Sequence, residues 1–444
     1  MAIIQHLQLF SWKIFQDDLQ NLGDLERLQL VIETMPDGKL MQTLQDLRAN
    51  GRNDYSIGAM WNSVLAGIVF EHISIESLRR ELGRNAQLRE MCGFDSLMGV
   101  KAVPSKSAYN RFLASLLIQE PLVREMFDYL VNELMIIFPD FGTNLAGDGK
   151  AIPSLGKPSK KEDGDKRREE DADWGVKTTR GVDKDGKAWE KVKSWFGFRV
   201  HLVVDADAEL PVGYAVTKAS IGEQPVMDEL FVELQKTHPE LIERCDHAMF
   251  DKGYDSKDRI CVLWETYGIK PIIDIKNMWR DGEKTKLLKN ANIKNVTYDY
   301  KGTVFCHCPD TGEIRHMSYG GFEKDRGTLK YTCPALAYGI ECKGAAKCPI
   351  YNKSIRIPLE EDRRIFTPVA RSSYKWETLY DKRTSVERVN SRIDVSFGFE
   401  RHYIRGLKKM KLRCGLALTV MLAIAVGRLR QNQPKLMRSL VKAA

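Results

Sequence analysis

Three acidic residues sit where a carboxylate can do chemistry. Asp148 follows the apolar run Thr143 to Gly147, and Asp251 follows His247 to Phe250. Both runs read as short strands, and sites in open α/β sheets form beyond the carboxyl ends of neighbouring strands. Two Asp at two such ends can share a metal ion. An Asp after a strand is also an ordinary turn former or helix cap, so the pair alone leaves both readings open. The third acid is Glu387. Tyr380, Arg383 and Glu387 are spaced by three and four, and at about 100° per residue they fall on one helical stripe. Arg383 can then hold a phosphate bidentately, Tyr380 can stack on a base or touch a sugar-phosphate backbone, and Glu387 can complete a metal site. The plainer reading of that spacing is an Arg–Glu pair on a solvated face.

These residues need a scaffold. Residues 1–140 read as helical, with apolar spacing of three and four in Ile57–Phe70, Ile75–Leu82, Ser105–Ile118 and Leu122–Phe138. Ser74 and Ser105 suit helix caps and Pro121 suits a first turn. Arg79, Arg80, Arg84 and Arg111 make this region a candidate DNA-binding bundle, with a plain charged bundle as the alternative. Residues 141–276 read as strand, hairpin, helix, strand, helix, strand, which builds a mixed sheet with helices on its faces. Within them, 157–191 is dense in Lys, Glu, Asp and Gly and reads as an exposed, mobile excursion. Asp205 and Asp207 fall in the turn of the hairpin Trp195–Val216 and read as turn formers. His201 reads as packed on the sheet, and Glu223 is left open between a cap and a supporting acid. Residues 277–365 form a Gly-, Lys-, Tyr- and Cys-bearing insertion. Residues 366–444 complete the core, with one helix over Trp376–Ile393 and a long buried one over Leu407–Arg430.

Composition narrows the class. Of 444 residues, 43% are hydrophobic and 29% charged, as in a globular protein. Lys+Arg 68 against Asp+Glu 60 gives a net charge of +8, which suits a nucleic-acid partner without requiring one. Arg401, Arg405, Lys408, Lys409, Lys411 and Arg413 crowd into one stretch, and such a surface neutralises DNA phosphates in a salt-dependent way. The apolar run Cys414–Gly427 is shorter than the ~20 residues of a membrane span, so no membrane partner is expected. Met1 to Gln16 lacks a basic segment leading into an apolar one, so a secretory signal is not expected. Five of nine Cys lie at 306, 308, 333, 342 and 348. Structural zinc favours four Cys or His ligands, commonly in closely spaced pairs. The spacing here is looser and leaves one Cys over, so zinc and reduced packed thiols both stand.

The run Tyr380, Arg383, Glu387 resembles the Tyr-x2-Arg-x3-Glu-x6-Lys signature of DDE transposases of bacterial insertion sequences, except that Asp394 stands where the signature has Lys. Asp251-Lys-Gly-Tyr254 and Gly147-Asp148-Gly-Lys150 resemble the blocks around the family's two catalytic Asp. Asp171-Ala-Asp-Trp-Gly175, Gly197 to Asp205 and Pro104 to Phe112 resemble intervening segments, so the likeness runs from about 50 to 430. The resemblance implies an RNase H-like core with Asp148, Asp251 and Glu387 as catalytic acids holding two Mg²⁺ (or Mn²⁺) ions. It implies double-stranded DNA as partner, both element ends and target, and a homodimer at synapsis. The expected location is cytoplasmic, at the nucleoid. Tyr380, Arg383, Lys252, Tyr254 and Lys150 are expected to approach DNA, with Arg392 standing in for the missing Lys.

Overall fold

The structure, a computed structural model, describes residues 23–49, 53–156, 158, 169–182, 187–289 and 293–440. Among the described residues, seven α-helices precede the sheet: α1 Leu25–Thr34, α2 Gly38–Arg48, α3 Ile57–Val69, α4 Ile75–Arg84, α5 Ala86–Cys92, α6 Lys106–Ile118 and α7 Glu120–Ile137. Local chemistry sets their starts. Ser56, Ser74 and Ser105 each accept a backbone N–H three residues on, at 3.0–3.2 Å, and Pro121 lies in the first turn of α7. Residues 1–22 of the region read as helical lie outside the described residues.

The central sheet uses β1 Asn144–Pro153, β2 Asp173–Val182, β3 Ala188–Asp205, β4 Leu210–Lys218, β5 His247–Phe250 and β6 Lys270–Ile273. The order through its middle is β4-β3-β1-β5-β6. β1, β3 and β4 are antiparallel neighbours, whereas β5 and β6 run parallel to β1. That mixed order, with a helix crossing from β4 to β5, is the RNase H-like arrangement. α8 Glu223–Thr237 and α9 Pro239–Arg244 make the crossing, and α10 Lys257–Cys261 continues as a π-helical turn over Val262–Thr266 before β6. The β3–β4 turn is built by Asp205, whose carboxylate accepts the N–H groups of Gly142 and Asp207 at 2.6 and 2.9 Å and that of Ala208. Asp205 and Asp207 are turn residues, as read from the sequence.

The charged stretch 157–191 is not an irregular excursion throughout. Asp173–Val182 pairs in full register with Ala188–Gly197, so β2 and the first half of β3 form a hairpin arm. Trp174, Val176, Trp189 and Val192 on it are exposed. Beyond its base at Gly175 and Trp195 the arm is largely exposed, so it has no sustained apolar/polar alternation to betray it. Residues 157, 159–168 and 183–186 of the charged stretch lie outside the described residues.

The insertion follows β6 and holds two small sheets. β7 Thr285–Leu287, β8 Val296–Asp299, β9 Val304–His307 and β10 Ile314–His316 form one; β11 Ser318–Glu323, β12 Thr328–Thr332 and β13 Ser354–Pro358 form the other. α11 Pro334–Tyr338 lies between β12 and β13. The two sheets share a core, separate from the main one, around Val296, Tyr298, Leu329, Tyr331, Ile357 and Phe366. The chain then returns through α12 Tyr374–Asp381 and α13 Thr384–Ser396 to α14 Leu407–Arg430. α14 is long and apolar enough to cross a membrane, but its apolar stretch is 89% buried inside the protein. It packs against α7, α1 and β4.

Candidate active site

The site is set by where parallel pairing stops. β1 and β5 pair from Asn144↔His247 to Gly147↔Phe250, and the next residue on each is Asp148 and Asp251. β1 itself does not end there. It continues to Pro153 against β3, with Asp148 opposite Leu202. So Asp148 lies within a strand, not after one, and the gap opens because β5 turns away. Asp251 begins a 3₁₀ turn, and its carboxylate caps the Gly253 N–H at 2.7 Å. Burial pushes the Asp148 carboxyl up, and the Asp251 charge pushes the same way; Lys177 on β2, the Gly149 N–H and Arg383 pull it down.

A third acid joins this pair from α8. Glu223 packs over Gly149, where a Cβ would meet its carboxyl at 2.9 Å. It ion-pairs with Arg199 of β3 at 3.3 Å, and Arg199 lies over Trp195 with 5.0 Å to the ring centre. Burial raises the Glu223 carboxyl, opposed by Arg199 and reinforced by Asp148. Lys177, Arg199 and Glu223 were not placed here by spacing. Each reaches the site through sheet pairing or a crossover, which leaves no local signal.

The helix expected over Trp376–Ile393 is two helices. Between α12 and α13 the backbone stays right-handed but tightens to i→i+3 hydrogen bonds, from Lys382 N–H to Leu379 and from Arg383 N–H to Tyr380. The stripe survives this. Tyr380 stacks on Trp376 at 4.8 Å, the Arg383 guanidinium lies 5.6 Å from the Tyr380 ring centre, and Arg383 Nη1 donates to Glu387 Oε1 at 3.0 Å. Arg383 also feels the Asp148 charge, and its Nε is buried without a partner. α13 packs on β1 and β3. Glu387 therefore stands on the helix covering Asp148, but its half-exposed carboxylate is held by Arg383. Among the described residues, no three His, Cys, Asp or Glu side chains are already gathered into a coordination sphere.

The expected DNA contacts divide. Tyr380 and Arg383 are partly exposed on the site's rim. Lys252 is half-exposed and leans toward Asp274 at 3.8 Å. Tyr254 is wholly buried, packed on Phe250 at 5.2 Å, so its ring offers no surface to DNA. Its hydroxyl has no partner and lies among the charges of Glu223, Asp148 and Asp251, which together with burial push it well up. Arg392 does not stand in for the missing Lys. It is bound to Glu209, through the carbonyl at 2.7 Å and the carboxylate at 3.2 Å. Asp394, at the position of the family Lys, ion-pairs with Lys150 of β1. His201 is buried and bonded to Thr217 at 3.0 Å, as its packing role required. Arg413 also turns inward, donating to the Phe397 carbonyl, while Arg401, Lys408, Lys409 and Lys411 remain exposed. A cavity of about 730 Å³ lies between the N-terminal helices and α14, and none of the site acids lines it.

The family model described as a transposase DDE domain matches residues 171–423, more than half of the chain. The chain belongs to this DDE transposase family. Asp251 and Glu387 of the transposase fall inside the matched span, and Asp148 lies upstream of it. No curated protein matches the sequence. Among solved structures, the transposase is similar to a piggyBac transposase synaptic complex with hairpin DNA, at 11% identity, covering 94% of this chain and 79% of that one with a TM-score of 0.36. So low a likeness adds nothing to the family assignment.

Proposed function

We propose that this transposase binds the terminal inverted repeats of an insertion-sequence-type element, cleaves its ends and joins them to target DNA, with Asp148, Asp251 and Glu387 holding two divalent ions, Mg²⁺ or Mn²⁺. The observation that carries this reading is the side-by-side placement of Asp148 and Asp251 beneath the helix that bears Glu387, in a chain of this family. The donor set fits hard cations, which take carboxylates plus waters and substrate oxygens. An Asp148 carboxylate whose charge is disfavoured by burial and by its Asp251 neighbour, and a buried Tyr254 hydroxyl with no partner, are what a cation and its water shell would satisfy. Bound there, such ions supply Lewis acidity to the attacking and leaving oxygens of phosphodiester exchange.

The chain's own residues do the rest. Arg383, on the rim beside the acids and bound through Nη1 to Glu387, turns its guanidinium to a DNA phosphate once that pair opens. Exchanging Glu387 for that phosphate frees the Glu387 carboxylate to join the Asp pair. Tyr380, held flat by Trp376, presents a ring edge and hydroxyl to the DNA backbone. Lys252 and the exposed Arg401, Lys408, Lys409 and Lys411 contribute positive charge along the DNA path. The helices of residues 23–140 supply end recognition. In this reading the protein works as a homodimer at synapsis, in the cytoplasm at the nucleoid.

The test is divalent-ion-dependent cleavage of the element's own end. Asp148→Ala, Asp251→Ala and Glu387→Ala should each abolish cleavage and leave end binding largely intact. Full cleavage by Asp251→Ala protein would sink the assignment.

A further inference from the structure

The insertion carries a feature that DNA chemistry does not use. Its five cysteines are far apart in sequence, yet all five line one small cavity of about 20 Å³, room for a single water-sized guest. Sheet pairing brings them together. Cys306 and Cys308 are two apart at the end of β9, so they share a face. Cys333 follows β12, and Cys342 and Cys348 lie in the link to β13. The cavity thus sits where the two small sheets meet. All five thiols are free.

We propose that this cavity is a structural Zn²⁺ site that pins the two sheets of the insertion together. Three ligands are Cys308, Cys342 and Cys348, and the fourth comes from the inner pair, Cys306 or Cys333.

Polar groups converge on three of the sulfurs. Cys308 is met by the backbone N–H groups of Asp310, Thr311 and Gly344 and by the Thr311 hydroxyl. Cys342 also takes the Gly344 N–H and hydrogen-bonds Cys308. Cys348 accepts the Asn295 amide at 3.3 Å. Donors converging on sulfur hold a ligand's charge and direction in place. Gly344 is required for this approach: a Cβ there would sit 2.8 Å from the Cys308 sulfur. Arg315 lines the same cavity, a cation beside the sulfurs.

His307 is not a ligand. It borders the cavity, but its Nε2 is engaged by Thr297 at 2.8 Å. A soft, all-sulfur set of this size selects zinc over the hard ions of the acidic site. The thiols are gathered but not drawn into a closed tetrahedron, so binding needs small side-chain rotations. A reason for the staple is at hand: the insertion has its own small core, and small cores bury a lesser share of their surface than large ones and gain most from a metal staple.

The experiment is metal analysis of the purified, reduced full-length protein by plasma mass spectrometry. About one zinc per chain is expected, both in wild type and in Asp148→Ala/Asp251→Ala protein. Cys342→Ser/Cys348→Ser should fall below about a tenth of an equivalent, while Cys261→Ser, outside the cluster, keeps its zinc. Of Cys306→Ser and Cys333→Ser, one should lose zinc and the other retain it. If the double variant does not fold, cobalt(II) exchange into wild type gives an independent answer, because thiolate ligation produces a sulfur-to-cobalt charge-transfer band. Less than about half an equivalent of zinc in wild type, zinc lost with the two Asp instead of the two Cys, bound iron in its place, or no charge-transfer band would each overturn the proposal.

Discussion

Asp394 stands where the family signature has a Lys, and Lys150 meets it from a strand 244 residues earlier. The pair joins α13 to β1 two residues from Asp148. Asp394 lies seven residues after Glu387, two helical turns on, so both face the same way. Holding Asp394 therefore fixes how Glu387 sits over the sheet. Lys150 and Asp394 expose only 12% and 25% of their side chains. Charges that withdrawn attract by about 4 kcal/mol at 4 Å and an effective dielectric of 20, from which desolvation removes a large share. A net coupling of about 1–2 kcal/mol follows, above the ~0.2–1 of exposed pairs and below the 3–5 lost when a fully buried pair is broken. A double-mutant cycle by urea unfolding, with Lys150→Met, Asp394→Asn and both together, measures it. Each single variant should cost about 1–3 kcal/mol, since the survivor is left half-buried and alone. The double variant should cost less than the sum. Cleavage should fall in both single variants with end binding kept, and the swapped Lys150→Asp/Asp394→Lys protein should recover part of it. A coupling below about 0.3 kcal/mol, within ordinary additivity, would refute the clamp.

Two further outcomes can be measured. Tyr254→Phe removes a buried hydroxyl with no partner, so stability should hold or rise by up to about 1 kcal/mol; cleavage should fall in divalent ion if the hydroxyl serves the acids, and unchanged cleavage would exclude that role. Burial pushes His201 and His247 down to about 4, below the unfolded value near 6.5. A lowered His leaves stability intact above about 6.5 and removes it as pH falls from there through 4, by up to about 3 kcal/mol per group. Melting temperature should drop across that window and drop less in His201→Gln; equal slopes would contradict the assignment.

Much of the scaffold was legible because its signals are local. Serine caps, the Pro-led α7 and the apolar runs before Asp148 and Asp251 are written within a few residues. What the sequence hid is what the sheet assembles. The β2–β3 arm is largely exposed beyond its base and reads as charge alone. Lys150–Asp394, Arg392–Glu209 and Arg199–Glu223 join distant segments, so spacing says nothing of them. Tyr254 follows a site Asp in the chain, but the 3₁₀ turn swings its ring inward against Phe250. The cysteines looked mismatched because the ligand pattern runs across two sheets instead of along one loop.

α14 has a consequence for how this protein is made. The last long helix forms the middle of the core, and its partners include the first: Arg428 donates to Glu26 at 2.7 Å across 402 residues, and Arg27 reaches the Leu440 carbonyl. The amino-terminal helices therefore leave the ribosome without the surface they bury against. They must wait for almost the whole chain, and contacts so remote in sequence are slow to find. A chain lacking residues 407–430 would keep contacts among its amino-terminal helices and between helices and sheet, but would lose the one element that α1, α7 and β4 all share.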